Sequence, residues 1–564
     1  MQLPLGLDPG LPGDAYSYGT RSDGGVHGLV HTKPGIVELI LDLAGYQSDR
    51  DLTSLRLLEP SCGVGAFLIP AVHRLMAAAT RQGVSAKALS ESILAFDIDP
   101  DHVDATRNAI LEVLLLHKVP KKLGKELTSK WVQQGDFLLA GGITSFDVIV
   151  GNPPYIRIEQ LSPALQAEYR NLFATIYDRA DLYVAFIEKS LHLLSRKGVL
   201  GFICADRWTL NKYGAPLREL ITGNFEVRTY IDLHHASPFE SDVIAYPSIF
   251  VIGREHLNQP TRVASMTTAK PADMSAALLA KDSSASLFPG ISVVRFGTWF
   301  TGDEPWVISS PEQLSALRSL EERFPLLEHN ETASVRIGVA TGNDKVYIVP
   351  AGIDIEADRL VPLVMRDDIN DGKIRQATRF IINTFEDGSG IVDLANYPRL
   401  RKYLNSHELE LRQRHVAKKN KAGWFRTIDR VYPDLVSKPK LLIPDIAGAN
   451  EVVFDEGRFH PHHNLYYITS NSWDLEVLGG LLSSKVALFF VWSYAVKMRG
   501  GYLRFQAQYL RRIRVPKPNS LSKKLCTNIR TAFRSRDFKR LDQLAMEAYE
   551  LTELPEFEFV DTRN

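Results

Sequence analysis

The sequence predicts an α/β chain, with a doubly wound, mostly parallel sheet over residues 1–255 followed by a mixed α+β region. Three observations carry this. From about residue 27 to 255, short apolar runs alternate with stretches of helical periodicity. Some runs, such as Phe146-Asp147-Val148-Ile149-Val150, are apolar enough to be buried on both faces, as a central parallel strand must be. Residues 331–516 break instead into many short β-like segments.

In chain order, residues 37–45 predict a helix, 55–60 a strand, 66–80 a helix, 92–100 a strand and 105–118 a helix. Residues 146–150 predict a buried strand, 182–194 a helix, and 198–205, 226–233 and 248–254 further strands. Residues 256–330 are rich in Ala, Ser and Thr and are expected to form a connector. Within them Ser310-Pro311-Glu312-Gln313 combines an N-cap, a proline at the first helical position and a glutamine three residues after the cap, which predicts a helix start. The β-like segments of 331–516 lie at 345–349, 379–383, 440–446, 451–454 and 464–470. A packing helix is expected over 540–551, within a helical tail at 517–564. There is no internal repeat.

Apolar residues make up 45% of the 564 and charged residues 23%, so a disordered or fibrous chain is excluded. Charge balances overall, but residues 1–260 hold 24 basic and 29 acidic residues, leaving 42 and 37 for the remainder. That asymmetry directs a polyanion toward the C-terminal half. Cys62, Cys204 and Cys526 are too few and too scattered for a disulfide framework or a four-thiolate metal site. The N-terminus lacks a signal-peptide pattern, and Lys485 interrupts the apolar stretch 478–496 below membrane-spanning length. A buried helix and a cytoplasmic protein are expected.

The chemistry starts at Glu59-Pro60-Ser61-Cys62-Gly63-Val64-Gly65, a small-residue bend between a strand and a helix. Such a bend lets the backbone approach a ligand closely. Asp97 ends the next strand, where a carboxylate suits two ribose hydroxyls. Asp136 offers an acceptor to an adenine amino group, with Ile98 and Phe137 to flank the ring. No phosphate-binding loop of the GxxxxGK[ST] type is present, so the implied ligand is a nucleoside. Asn152-Pro153-Pro154-Tyr155 follows the buried strand 146–150, and its prolines make it a rigid loop off the sheet edge. The Asn152 side-chain oxygen and the Pro153 carbonyl can accept both hydrogens of one exocyclic amino group. That aims the nitrogen lone pair at an electrophile, while Tyr155 offers a stacking face.

Taken in order, Glu59–Phe67, Asp97, Asp136-Phe137 and Asn152–Tyr155 resemble the motifs of S-adenosylmethionine-dependent amino-methyltransferases acting on DNA adenine N6. Gly28–Pro34, ahead of them, resembles the N-terminal cofactor motif of the gamma order. Arg336–Lys345, residues 438–448 and Arg499–Phe505 resemble a TaqI-like specificity domain. The resemblance spans about residues 27–516. It implies a Rossmann-like class I methyltransferase domain followed by a target-recognition domain, and a site-specific adenine-N6 methyltransferase of a restriction–modification or phage-defence system.

Carried over residue by residue, the resemblance places Thr32, Glu59, Cys62, Gly63 and Gly65 around the methionine moiety, and Asp97, Ile98, Asp136 and Phe137 around the nucleoside. Asn152, Pro153, Pro154 and Tyr155 fall on the target base, with Phe239 on its far face and Tyr246 as the alternative. Ser61 stands where the family often has glycine. Duplex DNA is the implied substrate, with the adenine rotated out of the stack, and a separately encoded restriction endonuclease is the implied partner. Phosphate contacts are expected from the basic run 399–430, namely Arg412, Arg414, Lys418, Lys419 and Lys421, and from Arg499 and Arg504. A fused nuclease is disfavoured, because no Glu-x-Lys or Asp-x-Lys follows Pro433-Asp434 or Pro444-Asp445 within 30 residues. A non-catalytic DNA-binding subunit, and a methyltransferase for RNA or protein, stay open. No metal is expected: His460-Pro461-His462-His463 has no thiol or carboxylate at ligand spacing, and His234-His235 reads likewise as a polar turn.

Overall fold

Nine strands among the described residues, most of them built around a run of buried apolar side chains, make the sheet of the first half of the molecule. They are Leu57–Glu59 (β1), Ile93–Asp97 (β2), Val132–Gln134 (β3), Phe146–Gly151 (β4), Leu194–Ala205 (β5), Glu226–Asp232 (β6), Pro247–Gly253 (β7), Thr261–Met266 (β8) and Ile291–Phe296 (β9). In the computed structural model they form one sheet in the order β3-β2-β1-β4-β5-β7-β6-β8-β9. Residues 31–560 are described, apart from 235, 241–246, 268–269, 280–287, 308–309, 329–332, 376–377, 387, 389, 448–450 and 496–501. Tyr246 and Arg499 therefore lie outside the described residues. The chain divides into two compact units at residue 311.

Strands β1 to β5 are mutually parallel, whereas β7 runs antiparallel to β5 and β6. This is the doubly wound, mostly parallel sheet expected from the alternation. The chain leaves β1 toward β2 on one side and returns as β4 on the other, which opens a crevice at the carboxyl ends of these strands. Register brings the ends together: Glu59 pairs with Ala95, Leu58 with Ile149, and Gly151 with Phe202.

The intervening helices arise where the periodicity lies. Pro34–Leu43 starts on a proline at its first position, and Leu68–Gln82 buries Leu68, Ala71, Val72 and Leu75. Pro100–Leu116 begins earlier than expected, because Asp99 caps it by accepting from the Asp101 amide at 2.9 Å.

The expected connector at 256–330 is not one. Residues 261–266 pair in parallel with β6, and 291–296 close the sheet as β9. Thr261-Arg262-Val263-Ala264-Ser265-Met266 has little β-branched or aromatic content, so its strand character was hidden by composition. Trp208, Trp299 and Trp306 pack together in the same unit.

In the second unit, the helix foreseen at Ser310-Pro311 spans Pro311–Arg323. One four-stranded sheet joins Ser334–Ile337, Leu465–Thr469, Lys440–Pro444 and Val453–Asp455 in that order. A second joins Ile348–Pro350, Arg379–Ile382, Leu360–Val364 and His460–Pro461. Residues 345–349, expected as strand, are mostly the short helix Asp344–Tyr347. Lys440 and Asp455, opposite each other on neighbouring strands of the first sheet, are wholly buried and pair at 2.8 Å.

The apolar stretch near the end forms two buried helices, Leu475–Leu482 and Lys485–Tyr494, bent by 60°. Among the described residues no single helix is long and apolar enough to cross a membrane. Residues 517–564 are not a detached tail. Helices Lys523–Ser535 and Phe538–Ala548 pack on Leu475–Leu482 so closely that a Cβ at Gly480 would lie 2.5 Å from Ile529 Cγ2.

Candidate active site

The bend after β1 wraps the mouth of the crevice. Gly65 has φ +92°, and a Cβ there would come within 3.3 Å of Thr106, so the tight turn requires glycine. The turn is tied to β2: the Cys62 amide donates to the Phe96 carbonyl (2.8 Å) and the Gly63 amide to Asp97 Oδ2 (2.7 Å). Thr106 Oγ1 closes it from the next helix by donating to the Gly63 carbonyl (2.7 Å).

These residues enclose a cavity of about 390 Å³, within the range of small-molecule sites. Thr32, Glu59, Cys62, Gly63, Asp97, Ile98, Asp136, Phe137, Asn152 and Pro154 line it. Ten residues singled out from sequence thus converge from the ends of β1 to β4, the loops that follow them, and the segment ahead of helix Pro34–Leu43. Gly65, Pro153, Tyr155 and Phe239 stand behind that lining. His102 and Phe186 also line the cavity. No motif marked them, since His102 acts through the fold by meeting Asp97 Oδ1 at 3.3 Å.

The cavity is acidic, and Glu59 and Asp97 in its wall are buried. Glu59 is 1% exposed and its Oε2 has no hydrogen-bond partner among the described residues. Burial, and then the Asp97 carboxylate, push its pKa well above the ordinary value. Such a group is suited to a ligand cation that restores its charge. Burial likewise raises the Cys62 thiol, with Glu59 and Asp97 adding to the shift, so Cys62 is not a thiolate nucleophile.

Asp136 is raised by burial although Tyr169 donates to Oδ2 and the Leu138 amide to Oδ1. Lys189 secures this loop through the carbonyls of Phe137 (2.6 Å), Leu138 (3.0 Å) and Ala140 (2.6 Å). Burial lowers its pKa to about 8.

The Asn152–Tyr155 loop leaves β4 on the other side of the cavity. Asn152 Nδ2 donates to Thr32 Oγ1 (3.3 Å), which turns Oδ1 to the opposite side of the amide. Ser61, the departure from the family pattern, braces the loop by donating to the Asn152 carbonyl (3.2 Å). Tyr155 meets Phe239 edge to face, with centroids 6.2 Å apart at 84°. Phe239 is fixed by a bridge to Thr32. The two aromatics are thus together and in direct contact, rather than parallel across a slot.

Behind Tyr155, His234 Nε2 meets Asp206 Oδ2 at 2.7 Å, while its backbone amide donates to Asp232 Oδ1 (2.8 Å). The acids at the ends of β5 and β6 were the signal for this cluster, and sequence reading passed over them.

In the second unit the basic run separates into two kinds of side chain. Lys418, Lys419 and Lys421 are exposed. Arg414 is not displayed: it donates to Tyr347 Oη (2.8 Å) and to the carbonyls of Trp424 (2.8 Å), Arg426 (2.9 Å) and Thr341 (3.2 Å). It is a structural tie, contrary to its expected phosphate role. Arg412 pairs with Glu408 (2.7 Å) and lies over the Trp424 ring, and Arg504 pairs with Asp445.

Residues 91–239 match the Eco57I restriction-modification methylase family, and 393–515 match the TaqI-like C-terminal specificity domain. The type II methyltransferase M.BstVI of Geobacillus stearothermophilus is 45% identical, covering 93% of this chain and 96% of its own. M.PaeR7I of Pseudomonas aeruginosa is 42% identical over 94% of this chain and 93% of its own. M.XhoI of Xanthomonas vasicola is 42% identical over 93% and 97%. The solved structure of the type IIL restriction-modification enzyme MmeI in complex with DNA covers 93% of this chain and 74% of that one. Its TM-score is 0.61 at 12% identity, a likeness of fold. Together with the glycine bend, the acids that end its strands and the Asn-Pro-Pro-Tyr loop, this kinship means that the chain belongs to the type II restriction-modification methyltransferases.

Proposed function

We propose that the chain methylates N6 of an adenine rotated out of duplex DNA, with S-adenosylmethionine as donor. The observation that carries this reading is that Asn152, on a loop stiffened by two prolines, lines the same cavity as Glu59, Asp97 and Asp136. The cavity fits the donor. Glu59 supplies a buried carboxylate for an ammonium group. Asp97 Oδ2, which accepts only the Gly63 amide among the described residues, keeps a lone pair for a ribose hydroxyl, and Asp136 with Phe137 suits an adenine edge and face. When bound there, S-adenosylmethionine supplies an electrophilic sulfonium methyl.

The residues of the chain act by positioning. Asn152 Oδ1 and the Pro153 carbonyl accept the two amino hydrogens, so the N6 lone pair faces the cavity. Tyr155 stacks on the base, and Phe239 reaches the far face once their edge-to-face contact opens. The N6–C bond forms as the C–S bond breaks, and N6 then releases a proton to solvent. Lys418, Lys419 and Lys421 supply contacts to DNA phosphates. A separately encoded restriction endonuclease is the partner against which this methylation protects.

Transfer of tritiated methyl to duplex DNA tests the proposal. Label is expected in DNA, and Asn152→Ala should abolish transfer while leaving donor binding within a few fold. Label found only in RNA or protein would overturn it.

A further inference from the structure

We propose that His462, His463 and Asp344 form a binding site for a single zinc-type divalent ion within the second unit. In sequence the two histidines have no carboxylate at ligand spacing, but the fold brings one from a distant segment. His462 Nε2 lies 3.2 Å from Asp344 Oδ2 and 2.9 Å from His463 Nδ1. All three ligand atoms fall within 4.8 Å of one another. A tetrahedral ion with bonds of about 2.0–2.2 Å holds neighbouring donors about 3.3–3.5 Å apart, so the 3.2 Å His462–Asp344 pair is already near this spacing and the exposed His463 ring adjusts to complete the set.

The hydrogen-bond chemistry of the cluster favours an ion. A ring nitrogen has one in-plane position, either a proton or a lone pair. His462 Nε2 therefore cannot fully donate to Asp344 and also accept from His463, yet both partners stand at bonding distance. A cation at the point where the three converge satisfies each lone pair at once. His462 is buried, and its Nδ1 has no partner among the described residues, so the polar engagement of the ring is through Nε2.

The donors are also held in place. The His462 amide donates to the Val364 carbonyl and the His463 amide to the Val339 carbonyl, each at 3.0 Å. Asp344 is steadied from its other oxygen by the buried Thr341 hydroxyl. Two imidazoles and a carboxylate, with a fourth position toward solvent beside exposed His463, suit zinc better than magnesium or calcium. The ion would clip the 339–344 segment to the strand at 460–461, joining the two sheets of this unit.

The test uses the full chain without a polyhistidine tag, stripped with EDTA and titrated with Co²⁺ as an optical probe, then with Zn²⁺. Visible ligand-field absorption should saturate at one Co²⁺ per chain, be displaced by Zn²⁺, and accompany a rise in Tm of several degrees. His463→Ala and Asp344→Asn should each abolish the absorption and the rise. Both alter side chains at least partly open to solvent, and circular dichroism checks that they stay folded. Wild-type protein with no absorption beyond that of aqueous Co²⁺, or absorption that persists in both variants, would overturn the site.

Discussion

At Glu59 a carboxylate is held 1% exposed beside Asp97, with one oxygen unpartnered among the described residues. Its raised pKa means that the folded chain holds this proton to higher pH than the unfolded chain does. Stability from this group is therefore complete below its ordinary value of 4.5 and is lost as pH rises through the elevated one. Glu59→Gln removes that loss. Without donor, its Tm relative to wild type should climb as pH rises above the ordinary carboxyl value of 4.5. The same change should weaken S-adenosylmethionine binding about 10- to 100-fold in calorimetry, as expected for a charge-assisted hydrogen bond of about 1.5–3 kcal/mol. A variant that binds the donor as tightly as wild type would remove Glu59 from the ligand. The positions of Glu59, Asp97 and Asn152 were legible because each sits at a strand end, where side chains must converge. His102 and His234 were not, because their partners Asp97 and Asp206 are set by tertiary approach.

At the level of elements, the run 399–430 shows why charge alone misleads. Helix His415–Lys419 presents Lys418 and Lys419 outward, while Arg414, between it and helix Glu408–Arg412, turns inward to five oxygen acceptors. Arg414→Ala should cost about 2–3 kcal/mol in urea denaturation, because it strands buried acceptors. Replacing Lys418, Lys419 and Lys421 together by Ala should leave stability nearly unchanged. It should make the log–log salt dependence of DNA binding shallower by up to about 3, at close to 0.9 per phosphate contact. Loss of stability in the triple variant, or an unchanged salt slope, would contradict this division. Under the neighbouring sheet, Asp455→Ala leaves Lys440 charged and buried, at a cost of about 3–5 kcal/mol by the same measurement.

For the whole molecule, alternation of apolar runs and helical stretches was enough to read the doubly wound core, since buried parallel strands have few alternatives. It failed at 261–296, where β8 is poor in strand-forming residues and the β-branched run of β9 is embedded in a segment dominated by Ala, Ser and Thr. At the C-terminus the expected packing helix is present, but the closeness of Gly480 to Ile529 makes residues 523–548 part of the second unit rather than a region of their own. A fragment ending at residue 255 therefore leaves β6 as a bare edge and should aggregate, whereas one ending at 311 should be soluble and two-state in thermal unfolding. Equal behaviour of the two fragments would count against β8 and β9 as integral strands. The most direct measurement is digestion of the methylated duplex to nucleosides after reaction with labelled donor. Label eluting with N6-methyldeoxyadenosine is the result expected from the Asn152–Tyr155 geometry, and label on cytosine N4, or none in DNA, would contradict it.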